Sequence, residues 1–550
     1  MKKSKLLASL SSIGVIGVVA TTIATSCSNK EEKVEHTSVY WKTPKIADTV
    51  YTVDASKLSH SLWVTLESLQ GILAQKEAKI FIYSDNKLRN DWFDDMKKTC
   101  NFNVVNITDP WELLKMFKDE FDSKYIFYTK TGEDEKDTSI NVACALSALN
   151  KNIIVSDEIE AEAISHGYTR LLDATTMSTA DIFNKYKDQL NNTMFINQKP
   201  SNINLRDYAI ASKTLIGCLE TVDEALKQPI VDWLKKDSVV LGWNDGTGGE
   251  MKFVKWLTEN QLELLPSDNC VDLSFYSAYN PNKLYKQKRK SKEITPQKNK
   301  HYLAMVMSDG DNLHWLQGDF KSESWFGSPY RGQFPVNWTI SPSTYDLNAS
   351  VLDYLYGQMS DNDYFVTAPS GFAYRNIGDC ISNKSFAQTT VKYMHDLDQH
   401  VINFLDWAVC NKPDHFLEFM KSDVIKGAVW SENRLHLSGA GEVVWKYDKP
   451  IVAIRDALYE RQEGDLRIGP TAARINAYPC DPSKIDGYTI IMCGCWVEGK
   501  MDKLRQFVDL LDDHVELVTV DQIIDMVAKN VEHVDAVPKD HSPVPYPKGK

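Results

Sequence analysis

Two carboxylates two residues apart, Asp309 and Asp311, stand where an apolar run stops. The run, Tyr302-Leu-Ala-Met-Val-Met307, is short enough for one strand and apolar on both faces, the pattern of a strand inside a parallel sheet. It gives way to Ser308, Asp309, Gly310, Asp311 and Asn312, then His314 and Trp315. Parallel strands deliver polar residues to the carboxyl edge of their sheet, where α/β enzymes build their sites. A spacing of two puts both carboxylates on one side of an extended continuation. Such a pair suits cleavage of a glycosidic bond, where one carboxyl donates a proton and another acts as nucleophile or base. Asp309, Asp311 and Asn312 would also offer hard oxygen ligands to a divalent cation. Their spacing is shorter than an EF-hand loop and lacks its downstream glutamate, so no cofactor is expected. The same residues could equally form a capped turn.

Other strands must supply the partner group. Apolar runs recur at 302–307, 336–340, 364–367, 401–405, 427–430, 451–454, 488–492 and 515–518, with helical patterns at 350–359, 385–399, 414–422 and 501–511. Eight strands in a span of this size match a (β/α)8 barrel, which takes about 250 residues. Most of the runs end in a polar group: Asp309, Ser341, Ser370, Asp406, Glu432, Asp456 and Asp521. Polar residues there also cap the following helix, and Asp521 reads first as a cap. Glu432, in Trp430-Ser-Glu-Asn433, is the expected partner of Asp309, with Asn433 placed to hold a sugar hydroxyl. Asp406, in Leu405-Asp-Trp407, comes second. Asp456 comes third, and an adjacent Arg455 would hold it ionised for a nucleophile or binding role. Trp315, Trp338, Trp407, Trp430 and Trp496 lie at or just past strand ends, where aromatic faces stack on sugars or pack under loops. Pro369-Ser370-Gly371 is not a nucleophile elbow and has no evident histidine partner, leaving Ser370 as a substrate contact.

Upstream, strands at 49–53, 79–83, 104–107, 125–128 and 152–155 alternate with helices at 62–75 and 110–121, implying parallel α/β layers. A helix at 205–220 and a strand at 238–242 begin a second such region. The glycine-rich turn Trp243–Glu250 lacks the Gly-Lys-Ser/Thr of a phosphate loop and instead presents Asp245 and Glu250. The expected organisation is therefore a leader (1–27), a tether (28–48), an N-terminal α/β region (49–200) and a second one (201–285). A basic linker (286–300), a barrel-like domain (301–530) and a disordered tail (531–550) complete it.

The leader has a lysine-rich start, an apolar stretch from Leu6 to Ala24, and Ala24-Thr-Ser-Cys27, which resembles a lipobox. That resemblance implies cleavage before Cys27, lipidation of Cys27 and a membrane-anchored protein on the outer face of the cell. The remaining nine of the ten cysteines are scattered and contain no C-x-x-C pair, so they read as structural thiols. A net charge of -13 over 550 residues argues against a nucleic-acid partner.

The stretches Leu69–Gln75 with Lys79–Tyr83, Met307–Asn312, Asn337–Pro342, Asn362–Phe365 and Ala368–Gly371 resemble the G-x-G-Y-x-Y-P glycoside hydrolase family. The resemblance spans about residues 49–528 and implies several small N-terminal domains, a C-terminal barrel-like domain and a carbohydrate substrate or ligand. The naming motif falls on Gly371-Phe-Ala-Tyr-Arg-Asn-Ile377. Gly371 and Tyr374 are kept, and Tyr374 becomes a candidate substrate contact. Ala373, Asn376 and Ile377 depart from the motif, as does Cys495, where relatives carry a histidine before the tryptophan. These departures leave a non-catalytic carbohydrate-binding or adhesion lipoprotein as the alternative.

Overall fold

The computed structural model describes residues 36–130, 136–243, 249–288, 293–406, 412–431, 441–458, 467–495 and 500–536. The first sheet consists of β1 (Ile46–Asp54), β2 (Ala78–Tyr83) and β3 (Asn103–Asn106), all parallel in the order β2-β1-β3. The second consists of β4 (Lys124–Tyr128), β5 (Ile153–Ser156) and β6 (Thr169–Asp173), parallel in the order β5-β4-β6. The third takes β7 (Met194–Asn197), β8 (Ile216–Gly217), β9 (Ser238–Gly242) and β10 (Leu262–Pro266) in the order β10-β9-β7-β8. Three small α/β units thus precede the C-terminal domain, where the sequence separated only two. The expected helix at 205–220 stops at Ser212, because Lys213 turns left-handed (φ 56°) and the chain enters β8.

Neighbouring units are joined through buried polar groups. Ser59 caps the helix His60–Ala74 by accepting from Leu62 N, and nearly every residue of that helix is buried. It crosses the helix Arg206–Ser212 so closely that a Cβ on Gly71 would lie 2.5 Å from the Asp207 carbonyl oxygen. Next to this crossing, Asp272 Oδ1 accepts from Gln70 Nε2 at 2.6 Å and from Ile82 N at 2.9 Å, tying the third unit to the first. Burial, with the charge of Asp207 behind it, pushes Asp272 up to about 8.

The large sheet consists of β11 (His301–Met307), β12 (Val336–Ile340), β13 (Asp363–Thr367), β14 (Val401–Leu405), β15 (Gly427–Ser431), β16 (Val443–Lys446), β17 (Lys449–Ala453), β18 (Asp456–Leu458), β19 (Tyr488–Cys493) and β20 (Val515–Leu517). The eight apolar runs of the sequence are all strands here. Their pairing differs from a regular eight-stranded barrel. The path runs β16-β17-β15-β14-β13-β12-β11-β19-β18, antiparallel only between β16 and β17. Its two ends are covalently close: Ile454 N donates to Trp430 O, and the next residue, Arg455, donates from N to Ile490 O. The segment 449–458 therefore leans on β15 with its first half and on β19 with its second. β19 pairs directly with β11 over Tyr302–Met307. β20 instead joins β11 at His301–Leu303, below the β11–β12 pairing at Val306–Met307. Asn337 Oδ1 accepts from Val520 N and fixes the chain after β20 beside β12. The eighth strand thus does not stand between the seventh and the first.

One face of this sheet, including Ala304, Val306, Val366, Val429, Ile490 and Met492, packs on Ile523, Ile524 and Val527 of the helix Val520–Asn530. The other face, including Met305, Met307, Trp338, Phe404 and Trp430, packs on the surrounding helices. Strands buried on both faces explain the unbroken apolar runs.

Segments expected to be loose are in part docked. His36, in the expected tether, contacts Asp396 (2.8 Å) and Asp346 (3.2 Å). Burial alone would depress it, and the two carboxylates override that and lift it to about 9. Tyr40 is buried and donates to Phe372 O. In the expected linker, Gln287 brackets Phe365, accepting from its N at 2.8 Å and donating to its O at 3.1 Å. At the start of the expected tail, Ala536 exchanges two backbone hydrogen bonds with Val443. Among the described residues no helix is long and apolar enough to cross a membrane.

The third unit docks on the C-terminal domain through an antiparallel bridge between Leu264 and Tyr374 (2.7 and 3.1 Å). A buried ion pair of Arg375 with Glu263 lies alongside, flanked by Asp237 at 3.1 Å. Burial pushes Glu263 up to about 7 against the pull of Arg375.

Two outcomes are expected. Asp272 keeps, in the folded protein, a proton that the unfolded chain releases at the ordinary carboxylate value. Its contribution to stability is therefore present at low pH and is lost as pH rises toward about 8. Denaturant midpoints measured from pH 5 to 8 should fall less in Asp272→Asn than in the parent, and parallel curves would refute the assignment. Arg375→Met leaves Glu263 buried without its counter-charge and should cost about 3–5 kcal/mol, with partial recovery in the Arg375→Met/Glu263→Gln double variant.

Candidate active site

The turn that follows β11 is held by β12 and β19. Ser308 N donates to Cys493 O at 2.9 Å, continuing the β11–β19 ladder by one residue. Asp309 then adopts φ 63°, a left-handed conformation that costs energy in a residue with a Cβ. Gly310 N donates to Thr339 Oγ1 at 2.9 Å, Ser341 N donates to Gly310 O at 2.8 Å, and Thr339 Oγ1 donates to Met307 O at 2.8 Å. A Cβ on Gly310 would lie 1.6 Å from the Thr339 carbonyl oxygen, so only glycine fits. Asn312 accepts from Trp315 N at 3.3 Å and caps the helix Leu313–Gln317. The turn is both a cap and a device that presents Asp309.

Ser308 Oγ donates to Asp309 Oδ2, and Cys495 N donates to Ser308 Oγ at 3.3 Å. Asp309 is partly exposed, whereas Asp311 is 7% exposed. Burial, then the charge of Asp309, then that of Glu250, drive Asp311 far above the carboxylate range. Glu250 reaches the same place from the third unit, in the first turn of the helix Gly249–Glu259. Burial and the charge of Asp309 push it up to about 7, while the Tyr374 hydroxyl, donating to Glu250 Oε1 at 3.3 Å, pulls the other way. Burial and Asp309 also push the Cys495 thiol up. The structure therefore brings together Asp309, Asp311, Glu250 and Tyr374 from the sequence-derived candidates. Burial and neighbouring negative charge raise the proton affinity of both Asp311 and Glu250, the two effects that tune carboxyls for acid–base chemistry.

Sequence reasoning did not place Ser308, Thr339 or Cys495 at the site. The sequence signal for Cys495 is only its place in the Met492–Trp496 segment that departs from the family resemblance. For Thr339 there was no signal, because its role depends on strand pairing.

Other candidates lie elsewhere. Asp406 is fully buried and accepts from Gly378 N at 2.6 Å, so it fixes the backbone just after the naming motif. Asp456 is fully buried and is gripped by Arg474 (two contacts of 2.8 Å), not by Arg455. Burial raises it despite Arg474, contrary to the expectation that an arginine would hold it ionised. Arg455 turns to Asp486 O (2.8 Å) and lies 3.9 Å from the Tyr478 ring. Trp315 packs on Phe320 and Trp325, and Trp338 donates to Asp363 Oδ1 among Phe320 and Phe326. Both are core residues, not sugar platforms, and Trp430 is likewise buried, donating to Asp406 O. Ser370 is fully buried and donates from N to Ala373 O at 3.3 Å. Asp521 accepts from Thr519 Oγ1 in a helix start near Asn362, away from the carboxyl edge. Among the described residues no three His, Cys, Asp or Glu side chains are placed to hold a metal ion, and Asn312 Oδ1 is committed to its cap. Trp407, Glu432, Asn433 and Trp496, which follow β14, β15 and β19, lie outside the described residues, as does Cys27.

Comparison with known proteins agrees with this division of the chain. Residues 49–119 match "GxGYxYP_N 1st domain", 124–190 "GxGYxYP_N second domain" and 192–278 "GxGYxYP third domain". Residues 299–528 match "GxGYxYP putative glycoside hydrolase C-terminal domain". The fold is similar to a crystal structure described as "a putative hydrolase from Bacteroides thetaiotaomicron VPI-5482", with a TM-score of 0.83 and 22% identity over 90% of this chain and 97% of that one. No curated protein matches the chain. With all four of its domains present in order, the chain belongs to the GxGYxYP family.

Proposed function

We propose that this protein is a glycoside hydrolase that cleaves extracellular glycans while held at the outer face of the membrane by a lipid on Cys27. The observation that carries this reading is the convergence of Asp309, Asp311 and Glu250 at the carboxyl edge of the large sheet. The charge of Asp309 raises both Glu250 and Asp311, and Glu250 adds to the rise of Asp311. Asp309 is the one carboxylate of the β11 turn open enough to meet a substrate. Its constrained backbone fixes where its oxygens point, which is the preorganisation a displacement at an anomeric carbon needs. Asp311 supports it from the buried side of the turn, its carboxyl pushed up by burial and by the charge of Asp309. Glu432, just past β15, is the expected second member of the pair, and Trp407, Asn433 and Trp496 would line the sugar cleft with Tyr374. Asp406 contributes by positioning the loop that carries Tyr374.

The chief reason for a non-catalytic reading, the altered naming motif, is weakened by where the changes fall. Ala373, Asn376 and Ile377 are all buried in the docking loop, and the motif residue that reaches the carboxylates, Tyr374, is kept.

A panel of glycans and aryl glycosides should be turned over by the mature protein, and Asp309→Asn should lose about 10²–10⁴-fold in kcat/KM. Equal rates would remove Asp309 from the chemistry, and saturable sugar binding without turnover in either protein would establish a binding lipoprotein instead. Separately, Cys27→Ala expressed in a bacterium should shift the protein out of the membrane fraction and abolish incorporation of labelled palmitate. Unchanged fractionation would dismiss the anchor.

A further inference from the structure

We propose that Glu250, carried into the site by the third N-terminal unit, takes the place expected of Glu432 as the proton-transfer residue of the hydrolysis, a role that rests on the hydrolase reading above. The first support is placement. Glu250 stands in the first turn of a helix that belongs to the third sheet, yet its carboxylate accepts from Tyr374, whose backbone belongs to the C-terminal domain. Tyr374 is itself fixed on both sides by its two hydrogen bonds to Leu264, so the hydroxyl aimed at Glu250 has little freedom. A proton donor must be held to within a fraction of an ångström of the bond it protonates, and this bracing supplies that.

The second support is access. Of the two carboxyls that share a site with Asp309, Asp311 is almost fully covered, whereas Glu250 retains partial exposure. A leaving-group oxygen can approach Glu250 and not Asp311. The third is proton affinity. A group poised near neutrality is half loaded at working pH and can both give and take a proton, and Glu250 sits at about 7. The charge of Asp309 beside it adds to burial in raising it, as two carboxyls sharing a poorly solvated site do.

In this scheme the Glu250 O–H proton passes to the glycosidic oxygen as the bond between that oxygen and the anomeric carbon breaks, the electron pair leaving with the oxygen. Water supplies the oxygen that takes its place on the anomeric carbon. The proton that water gives up returns to the Glu250 carboxylate, which restores the starting protonation.

The test uses the leaving group. An acid catalyst matters most when the departing oxygen is basic. Glu250→Gln should therefore lose about 10²–10⁴-fold in kcat/KM on alkyl or 4-methoxyphenyl glycosides and less than about 10-fold on 2,4-dinitrophenyl glycosides of the same sugar. Tyr374→Phe removes the hydrogen bond that favours the ionised carboxylate. The alkaline limb of its kcat/KM profile should move to higher pH, a change that a purely structural tyrosine would not give. Equal losses of Glu250→Gln on both substrate types overturn the assignment, as does the leaving-group pattern appearing in Glu432→Gln and not in Glu250→Gln. Turnover of no glycoside by the parent protein overturns the hydrolase reading, and this role falls with it.

Discussion

The contact on which the site depends is the docking of the third unit against the loop after β13. Two backbone hydrogen bonds between Leu264 and Tyr374 make an antiparallel bridge from the wholly parallel sheet of the third unit to that loop. The adjacent Arg375–Glu263 pair is fully buried, so it tolerates little displacement before charge is left uncompensated. A bridge and a buried pair side by side fix translation and rotation together. The carboxylates of the β11 turn and Glu250 arise from different folding units, and this junction helps to hold them in one place, with the Lys255–Asp379 pair (2.9 Å) and the Asn376 N to Thr258 Oγ1 hydrogen bond (3.2 Å) beside it. The third N-terminal unit therefore contributes a carboxyl of its own to the candidate site.

Much of this was legible in the chain. A two-sided apolar run announces a buried parallel strand whatever its neighbours, and all eight runs of the last stretch are strands. Order in the sheet was not legible, because neighbours are chosen by packing. β20 has only three residues, and the segment after it finds a partner in Asn337 beside β12. Strand ends were read correctly as places where polar groups appear, but not for which way those groups face. Asp406 and Asp456 are spent on Gly378 and Arg474, partners that are 28 and 18 residues away and carry no local signature. The tryptophans illustrate the same limit. A large ring just past a strand end is as useful for closing the core as for stacking on a sugar, and Trp315 and Trp338 do the former.

Raised carboxyls recur throughout the protein. Asp272, Glu263, Glu250 and Asp311 are all pushed up, and in each case burial is the first cause. At three of the four the surroundings differ in a way that separates structure from chemistry. Asp272 is closed off, with Gln70 and Ile82 both donating to its Oδ1, and Glu263 is closed off and held by Arg375. Glu250 has one hydroxyl donor and an opening. A shifted proton affinity by itself marks desolvation; joined to access and a charged neighbour it marks a place where a proton can be exchanged with a ligand.

The naming motif can be understood in the same terms. Its loop has two tasks, docking the third unit and presenting one hydroxyl to the carboxylates. Docking is met by main-chain hydrogen bonds, by Arg375 and by buried volume, so Ala373, Asn376 and Ile377 can replace other residues as long as the cavity between the units stays filled. Presenting the hydroxyl is met by one side chain only, and there the tyrosine is retained. A motif that looks half lost when counted letter by letter is thus kept at the one position where its chemistry meets Glu250, and it has drifted where only shape is required.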